Sequence, residues 1–189
     1  SGTGKELVAR ALHDLGSRAD GPLVAINCAT LSDQILESEL FGHERGAFTS
    51  ADQMKIGVVE AAHRGTLFLD EINEMGTSCQ AKLLRVLERK EIRRVGGTKK
   101  VKVEFNLIAA TNADLAGCVA DGRFRSDLYF RLKVVTLQVP PLRTRKEAIP
   151  VLAARFLTDI ASQVGVEPKT LSADALAALE RYPWPGNVR

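Results

Sequence analysis

The chain has 189 residues, 45% of them hydrophobic and 26% charged, which suits one domain of medium size with a core built without disulfides or metals. Lys+Arg 26 against Asp+Glu 23 leaves a net charge of +3, far from that of a basic DNA-coating protein. The longest run without a charged residue, Gly21 to Ser32, is 12 residues and too short for a bilayer, and ordinary Gly and Pro contents with three scattered cysteines (Cys28, Cys79, Cys118) exclude collagen-like, disordered and disulfide-scaffold classes.

Lys5 to Arg18 carries Leu7, Val8, Ala11, Leu12 and Leu15 at helical spacing, with Gly16 near its end. Pro22 to Asn27 is a short apolar run of strand type, and Asp33 to Leu40 reads as a helix with an acidic outer face. Phe41 to Lys55 has no clear period and reads as a loop or an interrupted helix. Thr66 to Asp70 is a compact buried strand, and Ser78 to Lys90 places Leu83, Leu84 and Leu87 on one helical face. Val101 to Glu104 precedes a further apolar strand, Phe105 to Ala110, and Val134 to Val139 reads as another, closed by Pro140-Pro141. From Lys146 the pattern is helical, with Ile149, Leu152, Ala153, Phe156, Leu157 and Ile160 in period. Ala173 to Arg181 is a second helix, broken by Pro183-Trp-Pro-Gly186. Strands separated by helices predict an α/β fold with a parallel sheet, and the helical tail beyond Pro141 predicts a small second unit.

Gly2-Thr3-Gly4-Lys5 opens the first helix. A glycine-rich turn lets backbone N–H groups face outward, the helix N-terminus adds positive potential, and Lys5 would reach the β- and γ-phosphates of a nucleotide. Taken alone the motif is equally a simple turn, and Glu6 stands where a Ser or Thr usually meets magnesium. Asp70-Glu71, at the end of a buried strand, strengthens the nucleotide reading. Buried charges are costly unless paired or metal-bound, so two carboxylates belong at a strand's C-terminal edge beside a ligand. Asp70 would hold a magnesium-bound water shell and Glu71 would polarise an attacking water. Thr111-Asn112 follows another strand, where a polar pair positions a water or senses a terminal phosphate, or simply marks a turn. Arg125 and Arg131, six apart on one helix, diverge by about 120°. They read either as cations for a transferring phosphoryl group, supplied in trans, or as two solvated arginines. The three histidines (His13, His43, His63) lie far apart and no CxxC is present, so no zinc site is expected.

The stretches GTGKE, ELFGHERGAF, GTLFLDEI, LLRVLE, RVGG, ATN, FRSDLYFRL, PPLR and YPWPGNVR occur in order. Together, and across essentially the whole chain, they resemble the AAA+ ATPase domain of bacterial sigma-54-dependent transcriptional activators, also called enhancer-binding proteins. The resemblance implies a P-loop AAA+ core over residues 1–141 with a parallel central sheet lacking its first strand, and the truncated start of a helical lid over residues 142–189. It implies a Walker A site at Gly2, Thr3, Gly4, Lys5 and Glu6, where Glu is the family's usual residue after the lysine, and a Walker B pair at Asp70 and Glu71. It further implies sensor I at Thr111-Asn112 and sensor II at Arg189. Asn27 matches the asparagine that holds the catalytic Glu and releases it in response to the nucleotide. Arg125 and Arg131 match trans-acting arginine fingers, hence a ring, usually of six subunits. Gly46-Ala47-Phe48-Thr49-Ser50-Ala51 stands where the family carries GAFTGA, the loop that touches the sigma factor. Ser50 replaces the second glycine, and serine disfavours backbone angles that glycine permits.

Between Lys82 and Lys102 lie nine Lys/Arg against Glu88 and Glu91, without interleaved aromatics. A solvated or inter-subunit face is the preferred reading, and a pore-side contact to promoter DNA the minor one. The expectation is therefore an ATP- and Mg2+-dependent ATPase in the cytoplasm that remodels the sigma-54 RNA polymerase closed complex. Its promoter and enhancer DNA would be bound mainly through domains outside this chain. The alternatives are a nucleotide-binding regulator of the same family that does not remodel sigma-54, or another AAA+ remodelling ATPase. The chain opens inside the P-loop without an initiator Met and reads as an excised piece, so as a fragment it is expected to bind ATP poorly.

Overall fold

A computed structural model describes residues 2–49 and 51–189. The chain divides into two compact units, Glu6–Thr136 and Leu137–Arg189 with Ser1–Lys5.

The larger unit is built on a parallel three-stranded sheet in the order β1 (Leu23–Asn27), β2 (Thr66–Asp70), β5 (Asn106–Ala109). The apolar run of β2 makes it the central strand, with Thr66 to Leu69 all buried, because helices cover both of its faces. Leu67 and Leu69 pack in a core with Leu36, Leu40 and Phe41 of α2 (Asp33–Phe41), Leu83, Val86 and Leu87 of α4 (Thr77–Arg89), and Leu128 of α6 (Ser126–Leu132). Each such side chain removed from water contributes about 1.5–3 kcal/mol, which offsets the ordering of the chain. The register aligns Asn27 with Asp70 and Leu69 with Ala109, so all three strands end at one edge. A hairpin of β3 (Glu91–Arg93) and β4 (Lys100–Lys102) stands apart as a second sheet. The short helices α3 (Val58–Ala61) and α5 (Leu115–Ala120) had no periodic signal in the sequence, being only about one turn each.

Helix α1 (Lys5–Asp14) ends two residues before Gly16, close to the end expected there. The Gly16 amide donates to the His13 carbonyl, tightening the last turn, and Leu15 is left 90% exposed. One expectation needs correction: Val134 to Val139 is not a strand. Its β-branched residues suit one, but a strand needs a partner, and none of the described residues pairs with it. Val134 and Val135 are exposed instead.

The smaller unit holds α7 (Ala148–Val164) and α8 (Ala173–Arg181). Gly165 ends α7 in the left-handed region, and the Ser172 hydroxyl caps α8 by accepting from the Ala175 amide at 3.2 Å. Trp184 Nε1 donates to the Leu179 carbonyl at 2.7 Å, folding the Pro183–Gly186 turn back on α8. Asn187, buried and at φ 58°, accepts from the Leu142 amide at 2.9 Å and so ties the end of the chain to its Pro-rich entry. No helix among the described residues is long and apolar enough to cross a membrane.

Candidate active site

Parallel pairing gathers Asn27, Asp70, Glu71, Thr111 and Asn112 at the C-terminal edge of the sheet, the edge where α/β folds bind ligands. Asn27 Nδ2 donates to Asp70 Oδ2 at 3.4 Å, while its Oδ1 accepts from the Ala29 amide at 2.8 Å. Glu71 takes left-handed angles (φ 51°, ψ 50°), which turns the chain sharply off β2, and its Oε2 accepts from the Asn112 amide at 3.1 Å. A non-glycine residue there costs about 1–3 kcal/mol, and such strain concentrates at working sites. Thr111 Oγ1 donates to Asn73 Oδ1 at 2.5 Å and accepts from the Ala113 amide at 3.0 Å. Thr111 and Asn112 are thereby knitted to the turn that carries Glu71. The hydrogen bond resolved for the Asn27 amide is thus with Asp70, and the Asn112 backbone holds Glu71.

Cys28 follows Asn27 and its amide donates to the Asp70 carbonyl at 2.9 Å. Burial first, then the nearby acids Cys79, Asp70 and Glu71, push the Cys28 thiol up to about 12. The folded chain then keeps a proton that the unfolded chain releases above about pH 9. Stability is therefore expected to fall as pH rises through the interval from about 9 to 12, by up to about 1.4 kcal/mol per unit. Urea melts at pH 8, 9 and 10 should show this slope reduced in Cys28→Ala, and equal slopes in both proteins would contradict it.

In the smaller unit, Gly2 (φ 72°) and Gly4 (φ 96°) stand at positive φ, which other residues rarely adopt, and α1 starts immediately after them at Lys5. A Cβ on Gly2 would lie 2.4 Å from the Gly186 carbonyl oxygen and 3.0 Å from Arg189 Cβ, so the turn packs directly on the segment holding the sensor II candidate. The Val188 amide donates to the Gly2 carbonyl at 3.0 Å, and Arg145 Nη2 donates to the Thr3 carbonyl at 2.7 Å. Arg145 has no motif that singles it out in the sequence. Glu6 is exposed in the first turn of α1, where a carboxylate complements the helix dipole.

Arg125 stands at the N-cap position of α6, and its guanidinium forks onto Asp127 (Nε–Oδ1 3.0 Å, Nη2–Oδ2 2.7 Å), which holds the Asp127 carboxyl below its usual range. Arg131 Nη2 donates to the Leu87 carbonyl at the end of α4, 3.1 Å away. Sequence reading missed Gln80, which is fully buried in α4. Its Nε2 donates to the Met75 and Arg123 carbonyls at 2.7 and 3.0 Å, and its Oε1 accepts from the Arg125 amide at 2.8 Å. A buried glutamine in an apolar helix face is the signal that would have found it.

The Phe41–Lys55 segment is a loop with a paired base. His43 and Lys55 exchange backbone hydrogen bonds, and His43 also bridges Val95. Arg94 pairs with Glu60 at 2.9 Å and Glu44 at 3.0 Å, joining the loop base to the hairpin turn. At the tip, the Gly46 amide donates to the Ala51 carbonyl and the Ala51 amide to the Phe48 carbonyl. Phe48 is 42% exposed, with its ring edge against His43 at 4.8 Å, and Ala47 and Thr49 lie beside it. Ser50 lies outside the described residues.

A parallel sheet with acids at its strand ends, a glycine turn opening α1 and a helical C-terminal unit together define a P-loop α/β domain of the AAA+ class. Residues 1–138 match the sigma-54 interaction domain and residues 143–189 the AAA+ ATPase lid domain. This chain belongs to the sigma-54 interaction domain family. It is 53% identical over its whole length to the DNA-binding transcriptional regulator NtrC of a Bradyrhizobium strain and 52% identical to the Nif-specific regulatory protein of Herbaspirillum seropedicae, covering 39% and 35% of those chains. The chain thus spans little more than a third of the length of these two relatives. Among solved structures, NtrX from Brucella abortus in complex with ATP superimposes over the whole chain with a TM-score of 0.91 at 47% identity, this chain covering 40% of that one.

Proposed function

We propose that this chain is the ATP-hydrolysing domain of a cytoplasmic activator that remodels the sigma-54 RNA polymerase closed complex. The observation that carries the reading is the strand-end pair, with Glu71 in a left-handed turn and its carboxylate fastened to the Asn112 amide. Family membership and the ATP complex of NtrX support it. Residues 1–141 form the core and 142–189 belong to the lid. Gly2, Thr3, Gly4, Lys5 and Glu6 surround the phosphates, with Arg189 beside the turn.

The half-buried Asp70 carboxylate suits Mg2+, which keeps several waters and takes one or two carboxylates besides the phosphates; the ion would neutralise charge on the transferring group. Glu71 orients water and accepts its proton, and Asn112 and Thr111 report the terminal phosphate to Glu71 through their hydrogen bonds to its carboxylate and its turn. Asn27, bonded to Asp70, relays the change. Arg125 and Arg131 are delivered to the site of a neighbouring copy in a ring of six. The loop Gly46-Ala47-Phe48-Thr49-Ser50-Ala51 then presents Phe48 to the sigma factor, and loop arrangements shift in population with the nucleotide state.

The test uses the intact parent protein. It should release phosphate from ATP and open a supercoiled promoter with sigma-54 polymerase, and Arg125→Ala should lower turnover by about 10³-fold or more. A strictly monomeric parent with no phosphate release would overturn the reading. Phosphate release without promoter opening would favour the second reading, a regulator that no longer remodels sigma-54, for which Ser50 in the loop motif is the supporting feature.

A further inference from the structure

The segment from Lys82 to Lys102 carries nine Lys/Arg against two Glu, a net charge of +7, while the remaining 17 basic and 21 acidic residues leave −4 on the rest of the chain. Internal ion pairs use three of the nine: Lys82 meets Glu37, Arg94 meets Glu60 and Glu44, and Lys100 meets Glu91. Six are left, Arg85, Arg89, Lys90, Arg93, Lys99 and Lys102. All are exposed, and their side chains make no ion pair or hydrogen bond among the described residues. Arg89 has a local reason to be there, since a cation complements the C-terminus of α4. Lys90, the C-cap of α4, shares that reason, Lys102 stands directly opposite Glu91 in the hairpin and Arg93 lies within electrostatic reach of the same carboxylate, whereas Arg85 and Lys99 have none.

Hairpin pairing is mixed. The register sets Arg93 directly opposite Lys100, like charges that are destabilising across a ladder, and Glu91 opposite Lys102, a favourable pair. Ile92 and Val101, the alternate positions, turn inward, so Arg93, Lys100 and Lys102 share the outer face with the single acid Glu91.

We propose that this outer face of the β3–β4 hairpin, with the exposed side of α4 at Arg85 and Arg89, binds the phosphodiester backbone of duplex DNA. Two features choose that partner. None of the large exposed apolar residues falls between Lys82 and Lys102, so this segment itself brings no apolar centre of a protein interface; the exposed Phe48 belongs to the loop that packs against the turn at Gly96. No aromatic residue lies between Lys82 and Lys102, so the segment offers unpaired bases no stacking platform of its own and what it presents is matched to phosphates. Binding of this kind is sequence-independent and steeply salt-dependent. The proposal goes beyond the ATPase reading and does not rest on it, because its test needs no nucleotide.

The 189-residue chain is titrated, nucleotide-free, into a fluorescein-labelled 30-base-pair duplex of random sequence, and anisotropy is followed between about 50 and 200 mM KCl. Affinity in the range of about 10⁻⁴–10⁻⁶ M is expected, with log K falling linearly against log salt. The variant Arg85→Gln/Arg93→Gln/Lys99→Gln/Lys102→Gln should bind at least about tenfold more weakly at the lowest salt, its slope flatter by about 0.9 for each phosphate that is no longer neutralised. Arg10→Gln/Lys146→Gln/Lys169→Gln/Arg181→Gln removes the same charge from exposed positions elsewhere and should bind like the parent chain. Equal weakening in both variants would overturn the proposal by reducing it to net charge, as would unchanged binding by the hairpin variant. Binding of polyglutamate but not of the duplex would overturn it in favour of an acidic protein. Circular dichroism confirms folding, and if the quadruple variant does not fold, Arg93→Gln and Lys102→Gln singly must each flatten the slope.

Discussion

Glu71→Gln is expected to lower phosphate release by the intact parent by about 10²–10⁴-fold, with ATP affinity changed only a few-fold. The amide oxygen of Gln still accepts from the Asn112 backbone, now 3.1 Å from the Glu71 carboxylate, so the turn off β2 keeps its anchor. What disappears is the basicity that takes a proton from water as it attacks. Asp70 keeps its hydrogen bond with Asn27, so the proposed Mg2+ ligand is untouched. Single-turnover phosphate release and equilibrium nucleotide binding, measured side by side, separate the two effects. Undiminished hydrolysis would remove Glu71 from the mechanism, and a parallel collapse of binding would make it a structural residue.

Gln80→Leu is expected to destabilise the larger unit by about 3 kcal/mol. Leucine fits the apolar surroundings of this fully buried side chain, but it leaves the Arg125 amide without its acceptor and the Met75 and Arg123 carbonyls without the Gln80 donor, the Met75 carbonyl in a fully buried place and the other two groups partly so. Each buried group so orphaned costs about 1–3 kcal/mol, and some of that is recovered by relaxation. Thermal unfolding should move down by about 6–12 °C. Because Gln80 sets the backbone at Arg125, turnover in the assembled parent should also fall at temperatures where the variant is fully folded. Loss of stability with full turnover would limit Gln80 to a packing role.

Much of the site was legible because its signals are local. The apolar run Thr66–Leu69 ending in two acids announces a buried strand whose end is polar for a reason, since carboxylates are tolerated only where a ligand or solvent meets them. Gly2-Thr3-Gly4-Lys5 announces a turn before a helix, because Gly2 and Gly4 stand at positive φ. The helices α2, α4, α7 and α8 follow from a 3.6-residue period long enough to be read. Val134–Val139 was misread because strand propensity describes how side chains fit a pleated surface and says nothing about whether a neighbouring strand is present. On α7 the period placed Phe156 and Ile160 correctly on a helix, yet they are 45% and 57% exposed, since period assigns a face and only packing buries it.

By itself the sequence determined the class of fold, most of its longer elements and which residues are candidates for phosphate and water chemistry, as consequences of composition and spacing along the backbone, while the family was carried by the resemblance of its ordered motifs. Tertiary structure alone decided that Asn27 donates to Asp70 while Glu71 is held by Asn112, that Gln80 supports Arg125, and which three of the nine cations are consumed by internal pairs. Those facts depend on strand register and on hydrogen bonds and ion pairs between residues distant in the chain, or across a hairpin. Such pairings form only when the sheet and its helices pack, and no periodicity along the chain encodes them.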